Sequence, residues 1–460
     1  MSNRGLLKDR VHKGAVKLGR RLSLRKPAAY VGASLGALVL VVAVFILVFG
    51  DAILNRYGKE KAERAFAEAY PGSVLRIGEL DYSVGANRLV AQSATLSATD
   101  ATLKVGRISL TGVRWAQFLW GTAALADVLA KASLDATNLD IEFPLARYGI
   151  RCARLRASGP GSELTAEGTE LRSLVGDEAF FAAHDFRTTR FHVVVPECRV
   201  SGLAYGELLQ GKSYRAKSIH FSRPSFEALV NSDKPPAFGK RPLMVHEALA
   251  SIRRPLQVDS LSVTNGHISY CERPVVGAAP GILTFGAVSL SVEGIANRGG
   301  ATAAVQLRAQ GDLMNAGTMK VQMSIPITSP DFSLHYSGSL GAMDLSRLSA
   351  FLDIVDHIRI KSGSAQEAAF EIDVTAGRAR GRVHAVYKDL TIAVLDNQTG
   401  AEKGFASFLA NLFKIRNSNA TNVSGATKES QVNYTRKPQD TFLGFAWAAL
   451  RSGVLDVIGH

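Results

Sequence analysis

The segment GELLQGKS, from Gly206 to Ser213, is a complete match to GxxxxGK[ST]. In a phosphate-binding loop of that pattern the backbone cradles phosphates, the lysine (here Lys212) reaches them, and the hydroxyl (here Ser213) holds magnesium. Such a loop must open a helix whose N-terminus faces the phosphate. Ser213 is instead followed by YRAKSIHFS, which alternates like a strand. Gly206, Gly211, Lys212 and Ser213 therefore read as a false match, and no nucleotide or other cofactor is expected. Cys152, Cys198 and Cys271 form no CxxC pair, and the odd number leaves at least one unpaired, with a Cys152–Cys198 bridge left open. The ten histidines contain no HxxxH or HExxH spacing, so no metal site is expected. His184-Asp185 has no nucleophile assignable by spacing, so no enzyme is expected. Asn397, Asn419 and Asn422 lie in N-x-[ST] triplets, read as chance matches.

The elements around these residues are mostly strands. From Ser73 to about Leu395, short runs of period 2 are punctuated by Gly, Asn and Asp. Val321, Met323, Ile325 and Ile327 alternate with polar residues or proline, and so do Phe370, Ile372 and Val374. Farther on, Arg378, Arg380, Arg382 and His384 oppose Ala379, Gly381, Val383 and Ala385. A sheet with one apolar and one wet face follows. LTGVRWAQFLWG (Leu110 to Gly121) and VSGLAYGELLQG (Val200 to Gly211) align as a repeat, matching Gly112 with Gly202, Leu119 with Leu209 and Gly121 with Gly211. Residues 73–395 are read as a repeated, mainly β domain with an extended, curved antiparallel sheet. Residues 396–460 carry two helical stripes: Phe405, Phe408, Leu409, Leu412 and Phe413, then Leu443, Trp447, Leu450, Val454 and Ile458. Capping the sheet and lying on a membrane interface both remain open for them.

Residues 28–50 form an uncharged run of 23, long enough to cross a bilayer core as one helix. Nine Lys and Arg against Asp9 precede it, so the first 27 residues supply +8 of the net +14. By the positive-inside rule the tail 1–27 stays cytoplasmic and the bulk of the chain is exported. The high charge is then an orientation signal, and a nucleic-acid partner is not expected. Residues 51–72 read as a short juxtamembrane helix.

The order of these elements resembles the AsmA-like proteins of Gram-negative bacteria, with TamB and the bridge-like lipid transfer proteins as more distant relatives. The likeness covers most of the chain. It is carried by the tail and anchor, LKVGRISLTGV, AKSIHFSRPSFEAL, and VDSLSVTNGHISYCER with its Asn265-Gly266 hairpin and Tyr270-Cys271-Glu272. The helix-then-strands unit from Gly341 to Val374, the strand YKDLTIAVLD, and the terminal helix with Trp447 and Gly453 complete it. The resemblance implies a single-pass protein of the bacterial inner membrane with its bulk in the periplasm. It further implies a role in envelope and outer-membrane biogenesis, and phospholipid carried along an apolar groove. Val321, Met323, Ile325, Ile327, Phe370, Ile372 and Val374 are then candidate lipid-facing residues, and Phe405, Phe408, Leu412 and Trp447 candidate interfacial or capping ones. Membrane phospholipids are the expected partners. At about 4.8 Å per strand, roughly 16 to 20 strands make a sheet of about 75 to 95 Å, so other envelope proteins would extend the path. The alternative is a non-transporting scaffold whose sheet encloses its own core.

Overall fold

The computed structural model describes residues 73–83, 85–114, 125–236, 241–299, 304–327, 329–396, 418–419 and 429–458. The expected span 28–50, the helix 51–72 and the stripe Phe405, Phe408 and Leu412 lie outside the described residues.

The fold is mainly β. Its first strands are β1 (Val74–Arg76), β2 (Glu79–Ser83), β3 (Arg88–Ser97), β4 (Thr102–Thr111), β5 (Ser133–Phe143), β6 (Tyr148–Ser158) and β7 (Glu163–Ser173). The central strands are β8 (Thr189–Ser201), β9 (Tyr214–Ser222), β10 (Ser225–Asn231), β11 (Leu256–Arg273) and β12 (Gly281–Ala296). The last are β13 (Ala304–Leu313), β14 (Gly317–Pro326), β15 (Leu334–Leu340), β16 (Met343–Asp344), β17 (Ile358–Thr375), β18 (Arg378–Val394) and β19 (Glu429–Thr435). Thus the sheet does not end near Leu395. Six helices are described: α1 (Leu125–Leu129), α2 (Asp177–Ala182), α3 (Tyr205–Leu209), α4 (Val245–Ala250), α5 (Ser349–Val355) and α6 (Phe442–Ile458).

All nineteen strands belong to one sheet. Three positions hold two strands each, because β1 and β2 share β3, β15 and β16 share β17, and β9 and β10 run end to end between β8 and β11. Sixteen positions at about 4.8 Å make a sheet roughly 75 Å across. Neighbours are antiparallel with one exception: β9 and β10 run parallel to β11. The expected purely antiparallel sheet is therefore corrected to a mixed one. A parallel pair cannot be joined by a hairpin, and the crossover between Asn231 and Leu256 contains α4.

A second correction concerns Asn265-Gly266. It is not a hairpin turn, because β11 runs straight through it for 18 residues. Asn265 does take the left-handed conformation, with φ of 53°. It uses that freedom for a kink within a strand, where the register to β12 shifts.

Asn265 is one member of a line of kinks crossing the sheet. Ser93 in β3, Asn138 in β5, Gly168 in β7, Arg223 between β9 and β10, and Ala287 in β12 all have positive φ. Gly106, Ala153 and Pro196 stand between them on β4, β6 and β8. At this line the pleat flips. In β3 the apolar face holds buried Leu89 and Ala91 before it and Ala94 and Leu96 after it, with Val90 buried on the other face. In β4 they are Leu103 and Val105, then Ile108 and Leu110. β3 to β6 thus carry an apolar-x-apolar-x-x-apolar-x-apolar pattern rather than simple alternation.

Two large packed clusters form on the apolar face, and two small ones gather Phe180, Phe181, Leu229 and Cys271, and Leu313, Met343 and Ala365. One of the large ones joins β1 to β7 with Val128 and Leu129 of α1. The other joins β13 to β19 with Met244 of the crossover and with Phe445, Ala449 and Val457 of α6.

The kink line yields a stability prediction. A β-carbon on Gly168 would sit 3.0 Å from that of Ala153 at φ of +59°, and the left-handed conformation alone costs a non-glycine about 1–2 kcal/mol. Gly168→Ala is expected to lower the unfolding free energy of the full chain by at least that amount in urea. Asn138→Gly, which keeps the conformation accessible, should change it by only a few tenths. Equal midpoints for wild type and Gly168→Ala would refute the assignment.

Candidate functional site

The strands from β3 to β12 flip their pleat at the same line, and the regular strands after them keep register, so side chains of one face stay aligned from strand to strand. One row begins with Leu80, Ala91, Ile108, Ala136, Leu155 and Ala166, each the direct partner of the next. It continues through Cys198, Phe221, Val263, Leu290 and Ala309. It closes with Val321, Gly338, Phe370, Val383 and Ser430. A second row, two residues along each strand, runs from Tyr82, Leu89 and Leu110 through Val200, Ile219 and Leu261 to Met323, Tyr336, Ile372, Gly381 and Val432. Neither row contains a charge. Direct cross-strand neighbours stand about 5 Å apart, so these side chains touch along the whole row.

The residue between the two rows points to the other face and, apart from the buried Val90 of β3, has the opposite character. Asp135, Arg156, Thr165, Arg199, His220 and Ser262 are successive partners there. The same face carries ion pairs such as Arg154 with Asp135 at 3.0 and 2.5 Å and Arg151 with Asp140 at 3.3 Å. The Arg154 hydrogen bond holds the Asp135 carboxyl below its ordinary pKa. Exposed pairs of this kind add little stability; their role is to keep this face in water.

Coverage of the apolar face varies along the rows. Ile108, Ala136 and Leu155 are buried at one end, and Val383, Ile372 and Val432 at the other. Between them Phe221, Val263, Leu290, Leu261, Val292 and Leu307 are only half-buried. Val292 and Leu307 pack against the later cluster, whereas Phe221, Leu261, Val263 and Leu290 are packed by neither.

The candidate lipid-facing residues fall at the covered end. Val321, Met323, Phe370 and Ile372 belong to the two rows, and Ile325 and Val374 extend the same face. Met323, Ile325, Ile327, Ile372 and Val374 are buried there, while Val321 and Phe370 are half-buried. The half-covered residues nearer the centre, Phe221, Val263 and Leu290, were missed because each lies beside a kink that breaks strict alternation. The repeated apolar-x-apolar-x-x-apolar-x-apolar pattern is the signal that locates them.

α6 covers the last strands. It packs Phe445, Ala449, Gly453 and Val457, one residue per turn, against the sheet. Gly453 permits the close approach, since a β-carbon there would lie 2.6 Å from Val383 and 2.8 Å from Val432. Tyr336 donates its hydroxyl to the Ala446 carbonyl at 3.1 Å, and Ser430 donates to that of Gly453 at 2.6 Å. Burial pushes the Tyr336 hydroxyl pKa well above the usual tyrosine range, so it remains a donor. Of the predicted stripe, Leu450 and Ile458 pack against the sheet cluster, whereas Leu443, Trp447 and Val454 face outward. Trp447 is 59% exposed and does not cap the sheet.

The other singled-out residues take structural places. Gly206 lies in α3, Gly211 turns with φ of 66°, Lys212 donates its backbone N–H to the Glu207 carbonyl, and Ser213 bonds the Glu207 carboxylate. The order helix, turn, strand is the reverse of a phosphate loop. Gly112 and Gly202 share positive φ just after β4 and β8, and the helices that follow touch through Gln210 and Asp127 at 2.9 Å. Leu119 and Gly121 lie outside the described residues. The Cys152–Cys198 bridge is absent, because β7 separates the two strands and all three cysteines are free. Two strand spacings, about 10 Å, exceed disulfide reach. Burial chiefly raises the Cys198 pKa to about 11, so it enters the row as a neutral thiol. His184 bonds the Phe180 carbonyl at the end of α2. Asn419 is buried, donating its side-chain N–H to the Ala385 carbonyl.

Gly453→Leu is expected to lift α6 from the sheet, with a destabilisation of about 2 kcal/mol from overpacking. Hydrogen exchange should accelerate roughly 10- to 100-fold across 442–458 while β14 amides stay protected; unchanged exchange in α6 would show that the close approach is not needed. No protein-family model matches the chain, and no curated protein matches it.

Proposed function

We propose that the chain is a membrane-anchored protein of the bacterial envelope whose apolar sheet face binds the acyl chains of phospholipids and guides them across the sheet. The observation carrying this reading is the pair of uncharged rows, in register from the first strand position to the last. Moving a lipid out of a bilayer exposes methylenes at about 0.8 kcal/mol each, roughly 12 kcal/mol for a 16-carbon chain. A stripe of contiguous apolar side chains offsets that cost at every step, and steps of about 4.8 Å leave no large barrier between sites. The half-covered centre leaves Phe221, Leu261, Val263 and Leu290 partly accessible to such a chain. The anchor at 28–50 would hold the β1 end at the inner membrane, N-terminus in the cytoplasm. At roughly 75 Å, the sheet fits a partnership with other envelope proteins that lengthen the path.

The two packed ends favour a second reading, a scaffold whose stripe is simply its core. The readings differ at the centre. A benzoylphenylalanine at Val263 or Leu290 should cross-link phospholipid in cells, whereas one at Ser262 or Ser291 on the other face should not. Equal labelling at all four positions, or none at Val263 and Leu290 in a folded protein, would overturn lipid binding and leave the scaffold.

A further inference from the structure

We propose that the outward face of α6 docks on an anionic phospholipid surface, giving the β19 end of the sheet a membrane contact of its own. Helices in folded proteins ordinarily bury one stripe and expose a polar one. α6 departs from this: with Phe445, Ala449, Gly453 and Val457 committed to the sheet, it still presents Leu443 at 75% exposure, Trp447 at 59% and Leu455 at 51%, with Val454 beside them. Leu443, Trp447 and Val454 fall within about 40° of one another on a helical projection.

The chemistry of this face selects its occupant. Arg451 borders the stripe with its side chain 48% exposed and pairs with Asp356 at 3.4 Å, and Lys437, exposed just before the helix, lies over the Tyr434 ring. Within α6 no carboxylate joins the stripe, since Asp456 projects from the opposite side of the helix; Asp356 lies at its margin, paired with Arg451. An apolar line with a central tryptophan and cationic margins matches a headgroup–acyl boundary, where long basic side chains reach phosphates while their stems lie on apolar surface. The same helix covers the apolar rows where they end, at Ile372, Val383 and Val432, so the docked bilayer would adjoin that end of the stripe. This extends the proposed lipid pathway but stands on the α6 geometry alone.

The test uses the full chain held in nanodiscs, mixed with liposomes of phosphatidylethanolamine and phosphatidylglycerol and floated on a gradient. Wild type should rise with the liposomes, and Leu443→Ser/Trp447→Ser should lose at least 10-fold in the floated fraction. Both residues are exposed, and an unchanged circular dichroism spectrum verifies the fold. Flotation unaffected by the double substitution, or absent in wild type, would overturn the proposal. So would a wild-type dimer in sedimentation that the double substitution dissolves while flotation persists, since the stripe would then be a self-association surface. Cross-linking from Val263 in the same variant reports acyl-chain binding separately, so the two readings fail independently.

Discussion

In a pleated strand, successive side chains alternate between faces, and a shift of a single residue sends every later side chain to the wrong side. A left-handed residue inside a strand has the same effect on the pleat. The sheet can therefore hold an apolar face only if strands flip together, and Ser93, Gly106, Asn138, Ala153, Gly168 and Pro196 show this line being kept across six neighbours. Everything else described here follows from that coincidence: the continuous rows, the segregated ion pairs and the two large packed clusters.

The residues chosen for the line reflect its physics. Asparagine and glycine enter the left-handed region at low cost, and they appear at Asn138, Gly168 and Asn265. Strands without a left-handed residue place a small or constrained one opposite, as at Gly106, Ala153 and Pro196. Toward the end of the sheet the line fades, and β13 and β14 alternate regularly from Val305 to Leu313 and from Gly317 to Ile325. Regular strands there present their whole apolar side to the helices that pack on it.

Legibility in the sequence followed this division. The runs around Met323 and Ile372 were readable because their alternation is strict, and their apolar sides do share one face. The central strands were seen as strands, but their face was not assigned because the kinks hide it, and Asn265-Gly266 has the composition of a turn without being one. The parallel pairing of β10 with β11 was invisible, since a crossover of ordinary length leaves no mark in periodicity. In α6 the predicted stripe joins outward Leu443, Trp447 and Val454 to Leu450 and Ile458, which pack, and the fully buried line was not found: alanine and glycine at 449 and 453 look weakly apolar, yet their small size is what brings the helix onto Val383 and Val432.

The parallel pair is also a seam. On either side of it the chain folds as a meander in which each strand pairs mainly with its sequence neighbours, and each meander owns one of the two large packed clusters. The crossover that the seam demands carries Met244 into the later cluster, where Arg436 donates to the Pro242 carbonyl at 2.8 Å. Two locally connected halves joined at one ladder are a modular arrangement: hairpins can be gained or lost within either meander, changing the span of the sheet by about 10 Å per pair of strands, while the joint and its buttress stay as they are. Length is thus the property of this architecture most open to evolutionary change.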